Sequence, residues 1–133
     1  MNREENIRSI RPLLKLADTD KKPLELFQNE TLRPILKLQQ ELTYAFLNNH
    51  KNYQPKKFAG FNRQQYEAFL SKYLQTNLDL KNQLLGAVIG LLTLIEFEFY
   101  KLERKELNRR IIQMQMKRFA DTMYADVGVI YDD

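Results

Sequence analysis

The chain predicts an all-α fold, a compact helical bundle of five or six helices in a single domain spanning 1–133. Three observations carry that prediction. Apolar residues recur at three- and four-residue spacing over most of the length. Ser, Thr and Asn stand where helical stretches would begin. Only four glycines and four prolines occur in 133 residues, whereas a β-sandwich or barrel needs a turn about every ten residues.

Residues 1–8 are polar and are expected to be frayed or to form a short helical lead-in. A first capped segment is expected from Ser9 to Ala17, followed by a polar linker over 18–23 and a single turn over 24–29. A second helix is predicted over about 32–49, capped at Thr31, with Ile35, Leu38 and Leu42 on its apolar stripe. Residues 50–61 read as the main loop, punctuated by Pro55 and Gly60. Asn62 caps a third helix with Gln65 at the capping-box position, and Tyr66, Phe69, Leu70, Tyr73 and Leu74 form its buried face. Asn77 is placed as the cap of the fourth helix.

That fourth helix enters the stretch Leu84–Ile95, uncharged for twelve residues. A bilayer takes about 20, so a buried core helix is predicted and no membrane span. Thr93 and Glu96 form a second capping box inside the stretch, which splits it into two helices at a bend. A last long helix is predicted from Lys101 to Tyr124. The tail over 125–133 contains the only β-like segment, Val127–Tyr131, and one strand cannot satisfy its own backbone groups.

The feature least expected by chance is an imperfect repeat. Ser9-Ile10-Arg11-Pro12-Leu13-Leu14-Lys15-Leu16 matches Thr31-Leu32-Arg33-Pro34-Ile35-Leu36-Lys37-Leu38 at five of eight positions. Both copies read as helix starts, with a hydroxyl cap and a proline in the first turn. The likeness stops there, so no solenoid follows. Arg11 and Arg33 would lie in first turns, where the helix dipole disfavours a cation. A carboxylate such as Glu25 or Glu30 is expected to offset each, and an anionic partner is the alternative. Gly86 and Gly90 form a GxxxG pattern, expected to be a helix-packing seam or a homodimer seam.

Charge and composition narrow the function. The net charge is +4, from 21 basic and 17 acidic residues. Residues 1–66 hold 12 basic and 7 acidic residues, while 67–133 hold 9 and 10. So mild a bias permits contact with anions without requiring it. There is no cysteine, which excludes disulfides, thiolate nucleophiles and thiolate-bound zinc and fits a cytoplasmic location. The N-terminus has no apolar signal core, so no secretory leader is expected.

Catalytic patterns are missing: no Glu-x-x-His, HExxH, GxSxG, Walker or dinucleotide motif occurs, and His50 is the single histidine. No catalytic residue, metal or cofactor is therefore assigned. An enzymatic reading would need acidic residues distant in sequence, such as Glu67, Asp79 and Glu96, to converge in a pocket. The 53–61 loop mixes rings and cations, with Tyr53, Lys56, Lys57 and Phe58 as candidate partner contacts. Such pairings bind single-stranded nucleic acid, although rings anchored in the core with lysines in water would also account for them. The helix over 101–118 is rich in Lys and Arg and reads as a solvated face with local ion pairs, Glu106 with Arg110 among them.

The stretch from Leu26 to Gln39, and more loosely Leu84 to Tyr100, resembles a small bacterial family of uncharacterised helical proteins, some of whose members carry a glyoxalase label. The resemblance implies a helical fold. The label finds no counterpart in these residues, which supply neither βαβββ modules nor a histidine-rich metal motif. The expected function is a non-enzymatic interaction or scaffold protein that binds itself or another protein. The alternative is a nucleic-acid-binding protein using the 53–61 loop and the basic 101–118 helix.

Overall fold

The computed structural model describes residues 2–11 and 22–125. The expected helical continuation over 12–17, most of the polar linker and the β-like tail segment lie outside the described residues.

Among the described residues the fold is all-α, with no strand. Its α-helices are α1 (Arg3–Ile10), α2 (Pro23–Phe27), α3 (Arg33–Leu38), α4 (Gln40–Asn48), α5 (Arg63–Thr76), α6 (Leu78–Ile89), α7 (Leu94–Leu102) and α8 (Arg104–Met123). A π turn over Gln28–Leu32 joins α2 to α3 in one rod. The count exceeds five or six because the break at Gln39 divides the stretch read as one helix over 32–49 and the turn expected over 24–29 opens as a helix, α2; the last helix starts at Arg104, not Lys101.

Several starts are where the sequence places them. Asn62 accepts the Gln65 N–H at 2.8 Å while the Gln65 side chain accepts the Asn62 N–H at 2.9 Å. Thr93 and Glu96 close a second capping box in the same way, and α6 and α7 bend apart there. Asn77 does stand between α5 and α6, but its amide donates back to the Tyr73 carbonyl, so it closes α5 and does not cap α6.

Of the two alternatives for residues 1–8 the helical lead-in forms, as α1: the Asn2 side chain caps it by accepting the Glu5 N–H, and Ile7 is buried. Other expectations are corrected. Ser9 ends this helix instead of starting one, its hydroxyl donating to the Asn6 carbonyl. Thr31 caps nothing, because the rod containing it begins at Pro23. Leu38 and Leu42 are exposed. Leu32, Ile35, Leu36, Thr43 and Leu47 are buried; at 100° per residue they share one face across the break at Gln39, and Leu38 and Leu42 lie off it.

The core gathers around α5, α6 and α8, with Tyr66, Leu70, Leu84, Leu107 and Ile111 fully buried. Gln115 of α8 is buried and donates to the Leu84 carbonyl of α6 at 3.0 Å. Arg63 of α5 pairs with Asp121 of α8. Gly60, at φ +88°, supplies the left-handed residue that turns the loop into α5.

Candidate functional site

The sequence-predicted positions fall into separate places. Arg11 lies at the end of α1 in extended backbone, not in a first helical turn. It donates from both terminal nitrogens to Glu96 of α7, at 2.7 and 2.9 Å. The two side chains are 9% and 13% exposed, so the pair is largely out of water. A carboxylate does offset the cation, as expected, but it is neither Glu25 nor Glu30. Burial pushes the Glu96 carboxyl up, and Arg11, the Thr93 N–H and the Thr93 hydroxyl more than reverse this, leaving it below the usual range. At the other end of α1, Arg3 donates to the carbonyls of Leu92 and Gly90. Gly90 is the C-cap of α6, where a cation suits the helix dipole, and Leu92 lies in the turn before α7. Two arginines thus latch α1 to the α6–α7 corner, and that role is structural. Arg33 donates to Asn29 one turn back, at 2.8 Å.

The loop residues divide by burial. Tyr53 and Phe58 are core residues, while Lys56 and Lys57 face water. The two rings lie 5.1 Å apart, and Phe58 sits at the same distance from Tyr66 and from Phe69 of α5. The Tyr53 and Tyr66 hydroxyls are 2.7 Å apart. Burial raises both phenols, Tyr53 to about 12. These rings bolt the loop to α5 and offer no stacking platform for a base. Gly86 and Gly90 are exposed, and a Cβ added at Gly86 would meet open space. No helix among the described residues uses the pair as a packing seam.

The acidic residues that an enzymatic reading needs are engaged singly. Arg63 donates to Glu67, Arg11 to Glu96, and His50 Nε2 lies 3.0 Å from Asp79. Among the described residues no group of three or more His, Cys, Asp or Glu could hold a metal ion. The His50 contact is one that sequence reasoning missed. Its Nδ1 meets the Tyr73 hydroxyl at 2.5 Å, so the ring bridges α5 and α6. The Nε2 hydrogen bond holds the Asp79 carboxyl below its ordinary range, and burial chiefly raises the Tyr73 phenol. Residues 23 and 29 positions away from His50 leave no local spacing signal.

On α8, Glu106 accepts from Arg109 and Arg110, whose hydrogen bonds hold its carboxyl down at about 2. This is the solvated, ion-paired face that the sequence predicts. Arg118 is buried and donates to Gln40 at 2.6 Å. No helix among the described residues is long and apolar enough to cross a membrane.

One surface stands apart. Leu94, Ile95 and Leu102 of α7 are 73%, 72% and 82% exposed, the highest values among the large apolar side chains of the described residues. At 100° per residue they share one face with Glu98 and Lys101, opposite the buried Tyr100. Glu98 and Lys101 pair with each other at 3.0 Å in the middle of that face. Ile95 and Leu102 are seven residues apart, two helical turns. The sequence carries this signal only in hindsight, since the same apolar run reads as a core helix. Comparison of the chain with protein-family models, with curated proteins and with solved structures returns no match.

Proposed function

We propose that the protein is a non-enzymatic helical interaction protein that self-associates by pairing α7 with α7 of a second copy. The observation that carries this is the exposed α7 face. Large apolar side chains contiguous on one element mark an interaction surface more often than scattered ones do. The order along the helix selects a second copy as the partner. A twofold axis passing near Glu98 and Phe99 reverses the direction of the second α7. Ile95 then meets Leu102 of the second copy at both ends of the seam, with Glu98 and Lys101 of both copies between those contacts. A face with apolar ends and charges of both signs between them is thereby complementary to itself.

The test is sedimentation velocity over a range of protein concentrations. The proposal expects a reversible monomer–dimer equilibrium, abolished by Leu102→Lys. Glu98→Lys sets like charges against each other and should weaken the dimer, while adding Lys101→Glu should restore it. A monomer at every concentration, or a dimer indifferent to all three variants, overturns the proposal. Resemblance to the helical bacterial family and a cytoplasmic setting belong to the same reading. The nucleic-acid alternative has less support, because the loop rings it would stack on are buried and Arg109 and Arg110 are occupied by Glu106.

A further inference from the structure

A groove of about 440 Å³ runs between α5, α6 and α8, formed by helices other than the one in the proposed dimer. Its volume lies in the range of small-molecule sites. Leu74, Ile112 and Met116 give it an apolar floor. Around that floor stand three cations from two helices, Lys81 of α6 with Lys105 and Arg109 of α8, and no acidic side chain lines it. A second cavity of about 430 Å³ at the α7–α8 corner shares Lys105 and Arg109 but includes Glu103 and Glu106 in its wall. Only the first is electrostatically one-sided.

Two of the three cations are also available. Arg109 is turned toward Glu106 and Gln113. The side chains of Lys81 and Lys105, by contrast, make no ion pair or hydrogen bond among the described residues. Asn108 accepts the Tyr100 hydroxyl on its Oδ1, which leaves its amide N–H groups as donors beside the lysines. Two ammonium groups and an amide at the rim, over an apolar floor, suit a ligand with an anionic head and a hydrocarbon body. Charge-assisted hydrogen bonds would hold the head, and burial of the hydrocarbon on Leu74, Ile112 and Met116 would hold the rest.

We infer that this groove binds a small amphipathic anion, a phosphate monoester with an apolar body, with Lys81 and Lys105 as the head-group contacts. The head could be borne by a free molecule or by a lipid, and both present the same chemistry to the lysines. Isothermal titration calorimetry with hexyl phosphate, inorganic phosphate and 1-hexanol tests it on the full chain. Hexyl phosphate should bind about tenfold more tightly than either fragment. The double variant Lys81→Gln/Lys105→Gln should weaken it about tenfold. Lys105→Gln alone, at an exposed position, should weaken it less and serves if the double variant loses helicity.

Cosedimentation with phosphatidylcholine vesicles, with and without phosphatidic acid, distinguishes the sources. Pelleting only with phosphatidic acid assigns the head to a lipid, and no pelleting assigns it to a free molecule. Failure of hexyl phosphate to bind overturns the inference, as does hexanol binding equally well or affinity unchanged in the lysine variants. None of these outcomes bears on the α7 dimer, whose variants lie on another helix.

Discussion

Ser9-Ile10-Arg11 and Thr31-Leu32-Arg33 open nearly identical octapeptides, and the chain folds them differently. A residue that precedes proline is pushed out of the helical region toward extended backbone. Arg11 obeys, with ψ 136°, and α1 ends there. Arg33 does not, with ψ −45°, and the rod continues through Pro34 into α3. The difference lies in what each helix buries. α1 buries Ile7 alone, and Ile10 is 54% exposed. Around the second copy Leu32, Ile35 and Leu36 are buried, so core packing outweighs the local preference. The π turn makes this possible: Arg33 N–H reaches back five residues to the Gln28 carbonyl, a widened turn of the kind that relieves strain in helices. The shared arginine therefore follows its local rule at the end of α1, which buries one residue, and yields to packing in the rod that holds the second copy.

The two copies nevertheless meet at one atom group. Glu96 accepts from Arg11 of the first and from the Thr31 hydroxyl of the second, the latter at 3.3 Å. The largest expected effect is therefore at Glu96. Glu96→Ala leaves the Arg11 guanidinium largely buried without its anion and removes half of a capping box. Loss of one partner from a buried pair costs about 3–5 kcal/mol, and the low end is expected here because α1 can detach and rehydrate Arg11. Urea denaturation measures it. Glu96→Gln keeps an acceptor for the Thr93 N–H and should cost less. If the two variants are equal, the cap contributes nothing and the comparison reduces to charge alone.

Acid should act on the first copy through the same carboxyl. Its pKa is lowered in the fold, so its contribution is complete above the unfolded glutamate value of about 4.3. It is lost as pH falls through the lower folded value. Arg11→Met removes the largest cause of that lowering. At pH 7 the variant should melt well below the parent, and the gap should narrow toward pH 3. Glu106 and Asp79 also lose their partners in acid, but both remain in both proteins and cancel in the difference. A gap independent of pH would mean that Arg11 acts through packing and not through charge.

What was legible in the sequence follows distance along the chain. The boxes at Asn62–Gln65 and Thr93–Glu96 involve residues three apart, and both formed as read. The buried face of α5 repeats within two turns, and Tyr66, Leu70, Tyr73 and Leu74 all lie inward. Contacts between elements left no such mark. Arg11 and Glu96 are 85 residues apart, and Arg3 and Leu92 are 89 apart. Either arginine could have met any carboxylate or free carbonyl. Several apolar stripes fit one helix: Leu38 and Leu42 continue the spacing from Ile35, but the face that is buried runs through Leu36, Thr43 and Leu47. The candidate surfaces were the least legible. Lys81 and Lys105 share a groove only because α6 and α8 pack together, and the α7 face resembles a core face until its neighbours are placed.

The smallest effect isolates the second copy. Thr31→Val keeps the shape of the side chain and removes the hydroxyl that donates to Glu96. Valine is still a β-branched residue in a π turn, so backbone preference changes little. At 3.3 Å the lost bond is long, and Glu96 keeps both Arg11 donors and its two capping contacts. A net cost of about 0.5–1 kcal/mol is expected. In a double-mutant cycle with Arg11→Met, the cost should rise, because Thr31 then becomes one of the few remaining donors to a partly buried carboxylate. Strict additivity would show that the two copies touch the same group without sensing each other, and the meeting at Glu96 would then be geometric coincidence and not coupling.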